Sequence, residues 1–304
     1  MNSHQRKKIT ELILKREQLR SQSRLKRLVV DPIRTVPFYV IALLGRVGPF
    51  QLTFPTMWGG RMTSYLPEGN TFLYYGYCEA NLTNFFLRYI KPGMVCIDIG
   101  AHVGFYTMLF SQLVGEDGRV HSFEPTTWTY ALLERNTASL SNVTLQKKAI
   151  ASQSATLTLA DYGPGYGAYN SAHEAGAAGM RRRKKTSEMV EAVSVDHYCN
   201  YASVHPDVIK IDAEGYEPEV LLGMAVLLRQ KNRPIITLEV AGGDAWAKSR
   251  GQAFSVLERN DYVLFEIAVN GMLKRHTPRS DYEYDNLVAI PRERLGEMEE
   301  CVGE

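Results

Sequence analysis

The chain has 304 residues, 45% of them hydrophobic and 22% charged, and a formal net charge of +2. That balance is ordinary for a soluble globular protein and excludes a chain too polar to bury a core. The length suits one large α/β domain with extensions, or two small domains. Cys78, Cys96, Cys199 and Cys301 lie far apart with no C-x-x-C spacing, which suits reduced thiols and a cytoplasmic setting.

Residues 1–50 read as a basic helical arm. Ten Lys and Arg against three acids put +7 on residues 1–34, so the remainder carries −5. Ile9, Leu12, Ile13, Leu19, Leu25 and Leu28 are scattered along it, as in a solvated helix. The alternative is peripheral contact with an acidic membrane surface or partner. The most hydrophobic window, residues 38–44, is far short of the ~20 apolar residues a spanning helix needs. No apolar region followed by a cleavage site succeeds the basic start, so no secretory signal is expected. Residues 51–93 shift to Gly, Thr and aromatics and predict a cap of short strands and turns, with a helix over 79–89. Lys91-Pro92-Gly93 turns the chain into the main domain, expected over 94–292.

The most informative stretch follows. Val95-Cys96-Ile97-Asp98-Ile99 reads as a buried parallel strand, Gly100 and Gly104 bracket a turn, and residues 104–114 continue as a helix. A strand, a glycine turn and a helix start form a place where backbone N–H groups can meet an anion. The spacing is D-x-G-x-x-x-G, with the acid ahead of the glycines, and it lacks the G-x-G-x-x-G of a pyrophosphate site. An acid there suits a ligand with a cationic amine beside a carboxylate. Glu124 ends the second strand, held extended by Pro125, where an acid can accept both hydroxyls of a ribose.

A helix over 126–140 and a strand over 143–150 come next. The alternation then breaks at an insertion, residues 161–189, which carries His173 and the basic run Arg181-Arg182-Arg183-Lys184-Lys185. The run suits a solvated loop, or else capture of an anionic substrate; nucleic acid is not expected, since no aromatic platform is interleaved with the charges. Residues 206–212 form a fourth strand ending in Asp212-Ala213-Glu214-Gly215-Tyr216-Glu217, and residues 233–240 a fifth with Glu239 near its end. Residues 262–267 and 286–290 read as a closing strand pair, and 293–304 as a polar tail. Acids at the ends of strands one, two, four and five converge on one rim of an open sheet, where such folds bind ligands.

In this order and spacing, Asp98–Gly104, Phe123-Glu124-Pro125, Val195-Asp196 and the run from Ile209 to Glu217 resemble the FkbM family of S-adenosylmethionine-dependent methyltransferases. The likeness runs over residues 58–291 and takes in Gly76-Tyr77-Cys78-Glu79; His102 and Ala213 depart from the usual Asn and Val. The resemblance implies a class I methyltransferase (Rossmann-like) fold: a seven-stranded, mostly parallel sheet with one antiparallel strand, here with an N-terminal helical and β extension. It also implies O-methylation of a hydroxyl on a small molecule, glycan or glycolipid. On that basis Asp98, Gly100, Ala101, His102, Gly104, Tyr106, Glu124, Pro125 and Ala149 are the candidate cofactor contacts. Asp212 is the first candidate for general base, with Glu214, Lys210 and a lid residue His173 as further catalytic candidates. Lys210 is expected to pair with a neighbouring acid, and Glu217 either to share the base role or to fix the turn. A divalent metal on Asp212, Glu214 and Glu239 is the less favoured addition. Two other functions compete: a non-catalytic partner-binding module on the same fold, and a nicotinamide-dependent oxidoreductase, against which the missing pyrophosphate fingerprint argues. Oligomeric state is not legible.

Overall fold

The computed structural model describes residues 1–44, 49–66, 68–163, 186–279 and 282–302. Three helices lead: α1 (Ser3–Arg20), α2 (Arg24–Val30) and α3 (Pro32–Leu44). A hairpin, β1 (Phe50–Pro55) and β2 (Arg61–Leu66), then passes to α4 (Asn70–Tyr75) and α5 (Ala80–Tyr89). The main domain runs β3 (Val95–Ile99), α6 (Phe105–Val114), β4 (Arg119–Phe123), α7 (Thr127–Thr137), β5 (Val143–Gln146), β6 (Ala149–Ile150), β7 (Ala155–Asp161) and β8 (Thr186–Val193). It continues through α8 (Val195–Ala202), β9 (Val208–Ile211), α9 (Glu217–Leu222), β10 (Ile235–Val240), α10 (Asp244–Arg259), β11 (Tyr262–Ile267), β12 (Leu273–Arg275) and β13 (Asp285–Pro291).

The large sheet has the order β12-β11-β13-β10-β9-β3-β4-β5. β10, β9, β3, β4 and β5 pair in parallel, and β13 lies antiparallel between β10 and β11. This is the expected class I methyltransferase sheet with one addition: β12 pairs antiparallel with β11 as an eighth strand, so the sheet has eight strands where seven were expected. β6, β7 and β8 form a separate three-stranded sheet beside it. The strand order reverses between β3 and β9, and in such sheets that switch point opens a crevice at the carboxyl ends.

Alternation along the strands assigns each residue to a face. Cys96 of β3 and Val208 of β9 join the apolar cluster under α5 and α6, while Ile97, Ile99, Ile209 and Ile211 join the cluster under α8, α9 and α10. The register sets Asp98 of β3 opposite Lys210 of β9. Both sit an even step from Cys96 and Val208, so both turn to the α6 face.

The expectation of a solvated arm does not hold for α1. Ile9 and Ile13, one turn apart on one face, are buried in the α5–α6 cluster. The Arg6 guanidinium donates to the carbonyls of Leu87, Ile90 and Leu113, and Tyr77 donates its hydroxyl to Glu17 at 2.7 Å. Burying an isoleucine in this way contributes about 1.5–3 kcal/mol, which the charged residues around it conceal from a composition count. α2 and α3 differ: Leu25, Val29, Ile33, Val36, Val40 and Leu43 are all exposed. Among the described residues no helix is long and apolar enough to cross a membrane.

Candidate active site

A cavity of about 330 Å³ opens at the carboxyl ends of β3, β4 and β9. Its lining includes Gly100, Ala101, His102, Tyr106, Glu124, Pro125, Ala149, Lys210, Asp212 and Glu214, so most of the residues expected at the site meet there. His173 and Arg181–Lys185 lie outside the described residues.

The glycine turn is shaped by the strand beside it. Gly100 has φ +72°, and a Cβ there would stand 1.8 Å from the backbone oxygen of Asp212. Only glycine lets the two strand tips touch, and that contact brings Asp212 to the turn. Gly104, at φ +95°, opens α6 against Leu133. The amides of Gly100 and Ala101 donate to the carbonyl of Phe123 at 3.1 and 3.0 Å, and the His102 amide donates to Glu124 Oε2 at 3.0 Å. The tip of β4 thus already takes these three amides, the last on a carboxylate.

Glu124 closes that arrangement. Its Oε1 accepts from the Thr126 amide at 3.1 Å and the Thr126 hydroxyl at 2.5 Å. With three of roughly four acceptor positions of a carboxylate occupied, it keeps room for one further hydroxyl, not two. Burial pushes its carboxyl up, and the Thr126 and His102 donors work against that push.

Asp98 does not line the cavity. Fully buried, it accepts from the Thr107 hydroxyl at 2.7 Å and stands 3.3 Å from Lys210 Nζ. It faces α6 because Cys96, two residues earlier, does. Asp98, expected to contact the cofactor, is thus set off the cavity, while its partner Lys210 lines it. That ammonium also reaches Asp212 Oδ2 at 3.2 Å and the Gly100 carbonyl at 3.3 Å, and lies 5.2 Å from the centre of the Tyr106 ring. The expected pairing of Lys210 with neighbouring acids is what the structure has.

Glu217 fixes the turn after β9: its Oε1 accepts from the amides of Ala213 and Gly215, each at 3.1 Å. Burial raises it to about 7, against the pull of those amides. Glu214 sits in the turn at φ +51°. Burial first, then Asp212, Glu217 and Glu79, raise it to about 9. Glu239, buried at the end of β10, is pushed well above the carboxylate range by burial and by the same acids.

Several lining residues were not singled out by the sequence, and three of them carry polar contacts at the site. Glu79, at φ +40°, accepts hydroxyls from Tyr106 and Tyr284, each at 2.9 Å, and the Asn286 amide. The run Gly76–Glu79 was the only signal for it. Glu68 arrives from the segment after β2 and pairs with His102 Nε2 at 2.9 Å. Burial opposes a charged His102, but Glu68, Glu124 and Asp212 outweigh it and raise its pKa. Tyr284 comes from just ahead of β13.

Against known proteins, residues 98–264, more than half of the chain, match the model of the methyltransferase FkbM domain. No curated protein matches the sequence. Solved structures with a similar arrangement include Aeropyrum pernix fibrillarin bound to S-adenosyl-L-methionine, at 9% identity over 69% of this chain and 73% of that one with a TM-score of 0.42. The precorrin-6y C5,15-methyltransferase of Geobacter metallireducens is 16% identical over 70% of this chain and 87% of that one, with a TM-score of 0.39. At such scores neither likeness bears on function, and the family rests on the domain match together with the motifs it spans. The chain belongs to the FkbM family of S-adenosylmethionine-dependent methyltransferases.

Proposed function

We propose that this chain transfers the methyl group of S-adenosylmethionine to a hydroxyl of a small-molecule or glycan acceptor, glycolipids included. One observation carries the reading: a single cavity is lined both by the glycine turn with Glu124 and by Asp212. Donor and proton acceptor therefore share one chamber. The bound cofactor supplies an electrophilic methyl on a sulfonium.

The lining fits that group. Glu79, Glu124, Asp212 and Glu214 face a cationic donor, and Leu157, Leu159, Ala149 and Ile150 offer an apolar wall for a purine. Glu124 has one acceptor position left for a ribose hydroxyl. Lys210, held by Asp98, keeps Asp212 at the turn. With the cofactor held by the turn and Glu124, an acceptor hydroxyl would lie in line with its methyl group, and Asp212 would take the hydroxyl proton as the methyl is transferred to the oxygen. Holding the reactants in line supplies up to ~7–11 kcal/mol in favourable cases, and the base about 10²–10⁴-fold.

The exposed apolar stripe of α3 supports a lipid-borne acceptor. Ile33, Val36, Val40 and Leu43 recur at helical spacing on one exposed face, and the preceding α2 carries Arg24, Lys26 and Arg27. α3 packs on α4, whose Thr71 and Phe72 line the cavity. A membrane held by α2 and α3 would therefore lie beside the helix that borders the chamber. The chain is expected to cosediment with vesicles of phosphatidylglycerol and phosphatidylcholine, and a quadruple Ser variant at those four α3 positions to stay in the supernatant. Equal sedimentation of both proteins would remove the lipid contact.

The direct test supplies methyl-labelled S-adenosylmethionine and the purified chain to a lipid and metabolite extract of the source organism. Label is expected on an oxygen of one compound. Cofactor binding without transfer to any compound would favour the partner-binding alternative, and binding of NAD in its place the oxidoreductase.

A further inference from the structure

Beside the turn after β9 the acids outnumber their cations. Glu79, Asp212, Glu214, Glu217 and Glu239 crowd one region, and each of the four glutamates is pushed upward by its acidic neighbours or by burial. Lys210 is the ammonium that pairs with them among the described residues, and it is shared between Asp98 and Asp212. Glu217 is satisfied by two backbone amides and Glu79 by two tyrosines and Asn286. Asp212, Glu214 and Glu239 form the tightest group among them: one carboxylate oxygen from each lies within 4.8 Å of the others.

The second observation is independent of charge. Glu239 is 4% exposed, and its Oε2 has no hydrogen-bond donor. A buried oxygen without a donor carries the full cost of its lost hydration. β10 brings it there because the even positions of that strand, Ile236 and Leu238, face the α8–α10 cluster, so that Thr237 and Glu239 take the opposite side with Lys210. Two strand tips thus place three hard oxygen donors around one point. Carboxylates sharing an ion at 2.0–2.6 Å stand at most about 4–5 Å apart, which these already satisfy.

We propose that Asp212, Glu214 and Glu239 bind one divalent hard cation, of the magnesium or calcium class, at the edge of the cavity. Three carboxylates leave coordination positions open toward the chamber, because such ions take six or more oxygens. An acceptor hydroxyl on one of them would be fixed beside the methyl donor. This role rests on the methyltransferase reading; the binding site itself does not.

Calorimetry of the full chain, freed of metal with EDTA and dialysed, titrated with MgCl₂ and separately with CaCl₂, tests the site without cofactor or acceptor. One equivalent of at least one ion is expected to bind, with affinity at least tenfold weaker in Glu239→Gln and in Glu214→Gln. Circular dichroism melting of both variants checks that they fold, and S-adenosylhomocysteine titration checks that the cofactor site is intact. No binding by the wild-type chain, or unchanged affinity in both folded variants, overturns the cation site while leaving the methyltransferase reading standing. Loss of S-adenosylhomocysteine binding by the wild-type chain would instead strike that reading alone.

Discussion

Lys210→Met is expected to lower the unfolding free energy by about 3–5 kcal/mol, the usual effect of breaking a buried ion pair from one side. The Lys210 side chain is 3% exposed and Asp98 is fully buried. Removing the ammonium leaves Asp98 with the Thr107 hydroxyl at 2.7 Å but no opposite charge, on the buried face of β3 that also carries Cys96. The pair also has a pH signature. Burial works against the Lys210 charge, yet Asp212, Asp98 and Glu79 more than offset it and hold its pKa above the ordinary 10.5. A raised lysine stabilises the fold fully below that ordinary value and stops doing so as pH climbs through the folded value. The loss in Lys210→Met should therefore be the same at pH 6 and pH 8. Urea denaturation measures it. The double variant Asp98→Asn/Lys210→Met should recover most of the loss, since the orphaned charge is then gone; a double variant as unstable as the single would show that Lys210 matters for packing and not for charge.

Asp212→Asn is expected to cut kcat about 10²–10⁴-fold, the range for a positioned general base, with affinity for S-adenosylhomocysteine changed only a few-fold. The amide keeps the size and one acceptor oxygen for Lys210 but cannot take the proton of a hydroxyl. Glu214 is pushed up to about 9 by burial and by its acidic neighbours. Glu217 is committed to the amides of Ala213 and Gly215. Kinetics with the acceptor identified by label transfer would show the effect. A variant with unchanged kcat would remove Asp212 from the chemistry and reduce it to a partner of Lys210.

Period-two burial and the acids at strand ends made the order of strands and helices legible in the sequence, along with the rim on which the site sits. What stayed hidden depended on which strands are neighbours. Asp98 reads as a strand-tip acid because it is followed by Gly100, but the crossover that seats β9 beside β3 sets it against Lys210 and away from the cavity. Nor does the G-x-x-x-G spacing reveal that Gly100 is required by the Asp212 carbonyl, a contact 112 residues away in the chain. Glu68 and Glu79 belong to the cap, whose composition predicted short strands, turns and a helix over 79–89 but singled out neither acid as a site residue. α1 looked solvated because Arg and Lys surround Ile9 and Ile13, although Arg6 serves the carbonyls of Leu87, Ile90 and Leu113. In that helix a basic residue is a structural donor, while on α2 the same residue type flanks an exposed apolar surface.

The account stands most directly on the cofactor, and Glu124 is where it can be tested. Its position at the tip of β4, bound to the His102 amide and to Thr126, gives it both a structural and a ligand-facing side. Titration calorimetry of S-adenosylmethionine into the wild-type chain should show one site, and Glu124→Gln should bind at least tenfold more weakly while melting as a folded protein. Absence of binding by the wild-type chain, or equal affinity in the folded variant, would contradict the assignment of this cavity to the methyl donor.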